Sequence, residues 1–331
     1  MARVLVTGGA GFIGSHVADA LLARGHDVTV YDDLSGGFTD NVPGGARFVQ
    51  GSVTDPVSVD RLFAETSFEF VFHLAAYAAE GLSHFIKRFN YTNNVIGSVN
   101  LINASINTGV RCFVFTSSIA VYGSAPAPIG EEAVPTPEDP YGIAKLAVEQ
   151  ELRSCREMFG LRHVIFRPHN VFGPRQNIGD RYRNVVGIFM NQILQGQPMT
   201  IFGDGTQTRA FSYIDDVAPV IAQCVEQETA WDAVYNIGAD TPSTLNDLAG
   251  AVARAMGVTP QLVHLPARQE AHSARSTHEK IARVFGPQHQ TPLEVGLARM
   301  AAWAKVHGAR SGAPFEGIEI TRNLPRVWVE P

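Results

Sequence analysis

Cysteine is scarce in this chain: the three thiols among its 331 residues lie far apart, at Cys112, Cys155 and Cys224. An odd number of widely spaced cysteines supports neither a disulfide framework nor a metal cluster. Their apolar or helical surroundings favour small buried side chains instead. We therefore expect free thiols and no bound metal.

Long uncharged apolar runs are also missing, although 45% of the residues are hydrophobic. The chain can therefore bury a large core, but no segment of it is suited to crossing a membrane. Its first residues pass directly into an apolar run at 3–7, which leaves no room for the basic segment, apolar stretch and cleavage site of a signal peptide. We expect a soluble protein of the cytoplasm with no membrane partner.

An excess of positive charge is absent too, because 26 Lys and Arg residues face 32 Asp and Glu residues and the formal net charge is −6. A nucleic-acid partner would require a basic face, so this balance argues against one. Local clusters of arginine remain able to bind a small anion.

What the sequence does contain is a glycine-rich turn at its start. The apolar residues 4–6 suit a strand buried on both faces, and Gly8, Gly11 and Gly14 follow where a backbone must turn and let a ligand approach closely. A helix beginning near Phe12 would direct its unpaired N–H groups toward these glycines. The turn predicts a site for the pyrophosphate of a dinucleotide, although a glycine triplet alone is weak evidence.

An acidic residue follows at the distance expected for a ribose contact. The second predicted strand, 27–31, ends at Asp32, about 20 residues beyond the glycine turn. A carboxylate there accepts two ribose hydroxyls and repels a 2′-phosphate, so the predicted cofactor is NAD rather than NADP. The alternative is that Asp32 only caps a turn.

Strands and helices alternate through the first half of the chain, which predicts an α/β fold with a Rossmann-type doubly wound parallel sheet. Broken periodicity after a strand at 164–166 indicates a smaller α/β substrate-binding domain. We therefore assign residues 1–173 to an NAD-binding Rossmann domain, with 211–238 returning to it, and residues 174–210 and 239–331 to the second domain. The other predicted strands are 47–51, 68–74, 111–116, 234–237 and 261–265, and the other predicted helices are 15–25, 57–65, 84–108, 141–158, 211–226, 245–256 and 292–306.

Tyr141 and Lys145 lie four residues apart on a predicted helix, so their side chains share one face. Ser118 follows the preceding strand at the carboxyl edge of the sheet, where open α/β folds bind ligands. A free phenol titrates near ~10, so a neighbouring ammonium and the positive charge of a nicotinamide are needed to make Tyr141 a base. Each residue alone is more simply a surface or capping residue, but together the three predict an acid–base centre.

The motifs of the chain resemble those of the extended short-chain dehydrogenase/reductase family. Within that family they resemble the UDP-glucose 4-epimerase-like nucleotide-sugar epimerases, which include UDP-glucuronate 4-epimerases. The resemblance covers nearly the whole chain, and its motifs occur in order at 7–14, 73–76, 117–118, 121–123, 141–145, 167–173 and 202–205.

The resemblance implies a role for individual residues, with Ser118, Tyr141 and Lys145 as the catalytic group. The expected cofactor contacts are Gly8, Gly11, Phe12, Ile13, Gly14, Asp32, Ser52, Val53, Leu74, Ala75, Ala76 and Asn94, together with Tyr141 and Lys145. The expected contacts to UDP are Asn170, Asn184, Val185, Thr200, Phe202, Arg209 and Arg268. Arg275 is the alternative to Arg268, and Ser52 stands where the family commonly has an aspartate.

Two residues separate the reactions known in this family. Members that eliminate water carry an acid and a base after the catalytic strand, whereas this chain has Ile119 and Ala120 there. The resembling decarboxylases use a glutamate at the position of Ala120. Redox chemistry at one carbinol carbon remains, which predicts a 4-epimerase that forms a 4-keto sugar and keeps NAD bound. The alternatives are a net dehydrogenase or 4-ketoreductase, and an epimerase acting at another carbon.

The loop 173–183 carries three arginines, Arg175, Arg181 and Arg183, beyond those expected to pair with the two phosphates. A guanidinium matches a carboxylate bidentately, which favours UDP-glucuronate/UDP-galacturonate over UDP-glucose/UDP-galactose as the substrate pair. The alternative is that these arginines pair with nearby aspartates and only order the loop. Both substrate pairs therefore remain open.

The predicted helices 84–108 and 141–158 have apolar faces broader than contact with one sheet requires. Members of the resembled family pair these two helices across a two-fold axis. The resemblance therefore implies a homodimer with an isologous four-helix interface.

Overall fold

The computed structural model of the protein describes residues 1–267, 273–312, 315–325 and 328. In these residues the strands are β1 (Arg3–Thr7), β2 (Asp27–Asp32), β3 (Arg47–Gln50), β4 (Phe70–His73), β5 (Cys112–Thr116), β6 (His163–Pro168), β7 (Val171–Phe172), β8 (Met199–Phe202), β9 (Thr208–Ala210), β10 (Ser212–Tyr213), β11 (Ala233–Ile237), β12 (Pro242–Thr244), β13 (Leu262–Leu265) and β14 (Ser273–Ala274). The helices are α1 (Phe12–Ala23), α2 (Pro56–Glu65), α3 (Glu80–Ser83), α4 (Lys87–Tyr91), α5 (Gly97–Thr108), α6 (Pro140–Phe159), α7 (Val185–Leu194), α8 (Ile214–Gln223), α9 (Leu245–Met256), α10 (Glu279–Phe285) and α11 (Leu293–His307).

Within the described residues, seven parallel strands form the central sheet in the order β11-β6-β5-β4-β1-β2-β3. The chain begins in the middle at β1, runs outward through β2 and β3, and then returns to β4 on the other side of β1. Because the strand order reverses between β1 and β4, the carboxyl ends of these strands open into a crevice. The Rossmann-type α/β fold predicted from the sequence is confirmed.

Both faces of this sheet are covered by helices. Val4 and Val6 of β1 belong to the apolar layer that includes α1 and α8, whereas Leu5 between them belongs to the layer that includes α2, α5 and α6. Successive side chains of a strand point to opposite faces, so an uninterrupted apolar run is needed when both faces are covered. All three side chains are fully buried.

The second half of the chain divides between the main sheet and the region beside the crevice. β8 pairs with β13, and β9 pairs with β12 and β14, in two small sheets that α7, α9 and α11 accompany. By contrast, β11 pairs with β6 in the main sheet and α8 packs on α1. The chain therefore leaves the main sheet and re-enters it later, while the domain boundary at residue 173 stays a prediction.

Some elements differ from the sequence prediction. The single helix expected over 84–108 is wrong at its start, because the backbone leaves helical geometry at Ile86, with φ −136° and ψ 44°, and α4 begins only at Lys87. A π-helical turn at Thr92–Ile96 then joins α4 to α5. The helix expected over 211–226 is shorter, since residues 212–213 form β10 and α8 ends at residue 223. The sequence analysis missed α7, α10 and the strands β7, β8, β9, β10, β12 and β14, whereas it predicted β13. The missed strands have two to four residues each and are too short to show a period.

The three cysteines are free and buried, as predicted. None of the helices in the described part of the chain is long and apolar enough to cross a membrane. In the same residues, no group of three or more His, Cys, Asp or Glu side chains is arranged to hold a metal ion.

A buried ion pair lies behind the carboxyl edge of the sheet. The side chains of Glu149 on α6 and Arg167 on β6 are 0% and 3% exposed, and Arg167 donates two hydrogen bonds to the carboxylate. Ser117 donates a further bond to Glu149, and Arg167 donates one to the phenol oxygen of Tyr122 at 2.7 Å. Removing either partner of the pair would leave the other charge buried and uncompensated.

We expect Glu149→Ala to lower the free energy of unfolding by about 3–5 kcal/mol, because it leaves the Arg167 guanidinium buried without its counter-charge. Glu157→Ala, at an exposed position of the same helix, is the matched control and should change the stability by less than about 0.5 kcal/mol. Denaturant titration of both variants measures the difference. Equal free energies of unfolding for Glu149→Ala and Glu157→Ala would show that the ion pair does not stabilise the packing of α6 on β6.

Candidate active site

A cavity of about 1110 Å³ opens at the carboxyl edge of the main sheet. Its wall includes the turns after β1, β4 and β5 on one side, and β8, β9 and the start of α7 on the other. The small sheets thus cover the crevice that the strand reversal creates, which is where open α/β folds bind their ligands.

The glycine turn brings its backbone against the turn that follows β4. Gly8 has a positive φ of 71°, and a Cβ atom there would lie 2.6 Å from the backbone nitrogen of Ala75. A Cβ atom at Gly14 would overlap the carbonyl oxygen of Gly8, and one at Gly11 would lie 3.1 Å from the same oxygen. The helix α1 begins at Phe12, directly behind this turn, so its positive end and its free N–H groups are available to a pyrophosphate.

The other residues predicted to hold the dinucleotide surround this turn. Asp32 is 9% exposed and accepts the backbone N–H groups of Ala10 at 3.0 Å and Leu34 at 2.8 Å. Burial raises the pKa of this carboxyl, and the two hydrogen bonds oppose that effect. The cavity wall includes Asp32 together with Gly8, Gly11, Phe12, Ile13, Gly14, Val53, Leu74, Ala75 and Ala76. The turn has room only for glycine, and a carboxylate lies at the end of β2. Both features fit the NAD predicted from the sequence.

Two residues predicted to contact the cofactor, Ser52 and Asn94, do not line the cavity, and their contact with the cofactor stays a prediction. The hydroxyl of Ser52 is hydrogen-bonded to that of Thr54 at 3.0 Å, and its carbonyl accepts the phenol O–H of Tyr31 at 3.0 Å. The buried amide of Asn94 accepts the N–H of Tyr77 at 2.9 Å and donates to the carbonyl of the same residue at 3.1 Å. Asn94 therefore fixes the backbone at Tyr77, which does line the cavity.

Ser118, Tyr141 and Lys145 meet in the wall of the cavity. Ser118 lies two residues after the end of β5, and its hydroxyl accepts the N–H of Ala120 at 3.1 Å and is hydrogen-bonded to the phenol of Tyr141. Tyr141 and Lys145 lie one turn apart in α6, whose first turn is capped by the carboxylate of Asp139. The structure thus brings together the three residues that the sequence analysis grouped.

Burial sets the charge states of the two titratable members of this group. It lowers the pKa of Lys145 to about 7. The ammonium of Lys145 donates to the carbonyl of Thr116 at 2.8 Å and lies 5.7 Å from the centre of the Tyr141 ring. Burial also raises the pKa of Tyr141 well above its usual range; the charge of Glu80 raises it further, and the hydrogen bond with Ser118 lowers it. The phenol of the chain by itself is therefore protonated at neutral pH, and a positive charge beside it would favour the phenolate.

The residues predicted to hold UDP lie on the opposite wall, which includes Asn170, Asn184, Val185, Thr200, Phe202 and Arg209. Asn170 and Asn184 have left-handed backbones, with φ 41° and 65°, and their amides donate to backbone carbonyls of β9 and β7. Arg268 lies outside the described residues. Its alternative, Arg275, is not part of the wall, and its carbonyl accepts the N–H of Ile129 at 3.1 Å.

Two of the three arginines in the loop 173–183 are paired with carboxylates. Arg175 pairs with Asp19 of α1 and does not line the cavity, and its contact with the substrate stays a prediction. Arg183 does line the cavity, where it pairs with Asp180 and its guanidinium lies 4.9 Å from the centre of the Tyr77 ring. The positive charge that the sequence suggests for this loop is therefore largely balanced.

Part of the wall has no counterpart in the sequence analysis. Tyr77 and Glu80 contribute from the segment after β4, Tyr182 contributes from the loop before α7, and Trp328 contributes from near the end of the chain. The position of Glu80 after a strand at the carboxyl edge is a signal that could have identified it. Tyr182 and Trp328 carry no such signal, because only long-range contacts bring them to the cavity.

Comparisons with known proteins agree with this geometry. The NAD dependent epimerase/dehydratase family model matches residues 4–238. The UDP-glucose 4-epimerase of Mycolicibacterium smegmatis is 35% identical over 305 residues, which cover 90% of this chain and 96% of that protein. The crystal structure of the UDP-glucose 4-epimerase of Thermotoga maritima with UDP-glucose is 35% identical, with a TM-score of 0.88 over 92% of this chain and 99% of that one.

A further solved structure is that of the UDP-glucuronic acid 4-epimerase of Bacillus cereus in complex with UDP-glucuronic acid and NAD. It is 28% identical, with a TM-score of 0.84 over 92% of this chain and 99% of that one. The family model itself spans the glycine turn, Asp32 and the group formed by Ser118, Tyr141 and Lys145. This chain therefore belongs to the NAD dependent epimerase/dehydratase family of enzymes, with NAD as its cofactor.

Proposed function

We propose that the protein is a 4-epimerase that acts on a UDP-sugar and keeps its NAD bound throughout the reaction. One observation carries this proposal: the buried phenol of Tyr141, hydrogen-bonded to Ser118, lies in the wall of the same cavity as the glycine turn. Ile119 and Ala120 also line this cavity, and neither offers an acid or a base for eliminating water. Relatives named as 4-epimerases of UDP-sugars support the same activity.

The three clustered residues divide the acid–base work. NAD, when bound, would supply the hydride acceptor for C4 of the sugar and the hydride donor for the opposite face of that carbon. Tyr141 takes the proton of the 4-hydroxyl in the first half of the reaction and gives it back in the second, with a 4-keto sugar in between. Ser118 holds the phenol oxygen in place, and Lys145 contributes positive charge near the ring. Because burial raises the pKa of Tyr141, the phenol acts as a base only when a cation lies beside it.

The opposite wall is the part of the cavity suited to the nucleotide. Asn170, Asn184 and Thr200 supply polar groups there, and Arg209 supplies a guanidinium for a diphosphate, with Arg268 kept as its predicted partner. Binding energy gained at the UDP end does not restrain the sugar end, so the sugar can turn over between the two hydride transfers. Asp32 completes the proposed set by accepting the ribose hydroxyls of NAD.

We expect Tyr141→Phe to lower kcat by about 10²–10⁴-fold, because it removes the phenol O–H that is hydrogen-bonded to Ser118 and leaves the cavity walls in place. The affinities for NAD and UDP should stay within about twofold of wild type, as measured by calorimetry. Tyr91→Phe, on α4 and outside the cavity wall, is the matched control and should retain full activity. Near-normal epimerisation by Tyr141→Phe would contradict the assigned role.

The same preparation separates an epimerase from a net dehydrogenase or 4-ketoreductase. An epimerase regenerates its cofactor in every cycle, so NAD should remain with the purified protein and turnover should need no added NAD. A dehydrogenase exchanges its cofactor, and turnover would then rise with the concentration of added NAD.

The structure changes which sugar we propose. The preference for a uronic acid depends on surplus cations, yet Arg175 pairs with Asp19 and Arg183 pairs with Asp180. Glu80 lines the cavity, and its charge raises the pKa of the Tyr141 phenol. The carboxylate of a uronic acid would be repelled by the carboxylate of Glu80. We therefore propose a UDP-hexose with an uncharged group at C6, such as UDP-glucose/UDP-galactose.

We expect kcat/KM for UDP-glucose to exceed that for UDP-glucuronate by about tenfold or more, because Glu80 repels the uronate. Glu80→Gln removes that charge with little change in shape. It should raise kcat/KM for UDP-glucuronate several-fold and leave kcat/KM for UDP-glucose unchanged. Glu138→Gln, another carboxylate of the cavity wall, is the comparison variant. The opposite result would be a higher kcat/KM for UDP-glucuronate than for UDP-glucose, with this preference lost in Arg183→Ala. It would establish UDP-glucuronate/UDP-galacturonate as the substrate pair instead.

We also propose a homodimer formed through the α4–α5 and α6 faces. Ile96 and Ile143 are 50% and 42% exposed on these elements, which pack against each other within one chain. Large exposed aliphatic side chains on adjacent helices form a surface that a second copy can bury by two-fold symmetry.

We expect the double variant Ile96→Glu with Ile143→Glu to sediment as a monomer of 35.8 kDa, whereas wild type sediments as a dimer. Buried like charges would face each other across the two-fold axis and prevent association. Val57→Glu, which places the same charge at a 73% exposed position of α2, should remain a dimer. A wild-type protein that is monomeric at micromolar concentration would defeat the proposal.

A further inference from the structure

The C-terminal segment, in its described residues 308–312, 315–325 and 328, contributes Ser311, Gly312 and Trp328 to the cavity wall. Its first anchor is on the nucleotide side, where the backbone N–H of Arg310 donates to the Asn191 side chain at 2.9 Å and the Arg310 carbonyl accepts from it at 2.8 Å. Gly312 lies against the carbonyl of Gly179 so closely that it has no room for a Cβ atom. Ser311 and Gly312 both line the cavity.

The second anchor is on the opposite side, beside the start of α4. The backbone N–H of Phe315 donates to the phenol oxygen of Tyr182 at 2.8 Å, and the Phe315 ring packs edge-on to Phe89 with centres 4.9 Å apart. The carboxylate of Glu319 accepts the backbone N–H groups of Arg88 and Phe89, each at 3.0 Å. These N–H groups are among the unpaired donors of a helix N-terminus, so Glu319 caps α4.

Trp328 then returns to the cavity. It is 5% exposed, and its ring packs edge-on to Tyr182 and to Phe85 with centres 5.7 Å and 5.9 Å apart. The Tyr182 phenol donates to the Trp328 carbonyl at 3.2 Å. Trp328 shares its apolar cluster with Leu82, and it lines the cavity.

This position is at the reacting end of the cavity. Leu82 is followed by Ser83, whose hydroxyl accepts the backbone N–H of Tyr141 at 3.2 Å. Arg183, which follows Tyr182 in the chain, acts electrostatically on the phenol of Tyr141. Trp328 therefore packs on the two segments that hold and influence the proposed acid–base residue.

We propose that Trp328 and its C-terminal segment form the outer wall of the sugar chamber and retain the 4-keto sugar while it turns over. The inference rests on the proposed epimerase activity. A sugar that must rotate cannot be held by fixed hydrogen bonds at every orientation, whereas an aromatic face gives contact that depends little on direction. A closed wall also keeps water from the reacting carbon.

The redox balance gives this role a specific signature. After the first half-reaction the C4 hydride is on the cofactor and the 4-hydroxyl proton is on Tyr141. A 4-keto sugar that escapes at this point takes neither with it, so the protein is left holding NADH and is inactive toward further substrate. Loss of the wall therefore converts part of the turnover into accumulation of bound NADH.

The test compares Trp328→Ala and Trp328→Phe with wild type in the full-length chain, using UDP-glucose as substrate. We expect Trp328→Ala to lower kcat/KM by about tenfold or more and to accumulate NADH, seen by its near-ultraviolet absorbance, during turnover. The Kd for UDP should stay within about twofold, since UDP lacks the hexose that the chamber would hold. Trp328→Phe keeps an aromatic face and should restore most of the activity. Phe159→Ala, which removes a 62% exposed ring of α6, is the matched control.

Two results would overturn the inference: no change in either kcat/KM or NADH in Trp328→Ala, or an equal loss of UDP affinity, which would make Trp328 a general structural residue. Glu319→Ala, which removes the second anchor, should reproduce the NADH accumulation, and its failure to do so would limit the role to Trp328. If wild type epimerises no UDP-sugar, the proposed function itself fails. The role of Trp328 in the chamber wall is then tested by binding alone. Trp328→Ala should weaken the affinity for UDP-glucose more than the affinity for UDP, and equal changes would overturn the inference.

Discussion

The site depends on one close approach of backbone to backbone, between the turn after β1 and the turn after β4. These strands are neighbours in the sheet although β2 and β3 lie between them in the chain. A Cβ atom at Gly8 would overlap the backbone of Ala75, so even alanine would push the two turns apart. The same contact closes the floor of the cavity and aims the positive end of α1 into it. Fold and cofactor site are therefore two results of one packing constraint.

Burial has opposite effects on the stability and on the reactivity of the groups around α6. Glu149 and Arg167 satisfy each other's charge out of contact with water. Tyr141 and Lys145 have no such mutual pairing: burial raises the pKa of the first and lowers that of the second to about 7, so both are driven toward their neutral forms. Glu149, which pairs with Arg167, therefore lies one turn of α6 beyond Lys145. The first pair stabilises the fold, whereas the charge states of Tyr141 and Lys145 depend on a bound ligand.

The sequence was most informative where one residue type is required by local geometry. The glycines of the first turn, Asp32 at the end of β2, and the Tyr141 and Lys145 spacing all depend on neighbours within one strand–turn–helix unit. The structure places all of them in the wall of one cavity. Asn94 and Arg175 have partners far along the chain, in Tyr77 and Asp19, and nothing in local spacing reveals those pairings.

The same limit explains the rest of the discrepancies. The short strands of the second half are held by their partners rather than by their own periodicity. The break in the helix expected over 84–108 follows from backbone geometry at Ile86, where no proline or glycine marks it. The role of the C-terminal segment depends on aromatic contacts with residues 77–89 and 182, which only the folded chain brings together.

The pairing of β11 with β6 has a consequence for how the chain is synthesised. An N-terminal fragment that stops after β6 would present that strand as an unpaired sheet edge, which is a template for association with other chains. The edge is covered only when residues 233–237 have been made, after the whole segment that carries α7, β8 and β9. The sheet therefore cannot be finished before α7, β8 and β9 have been made, so the main sheet and this part of the region beside the crevice must mature together rather than as successive independent units.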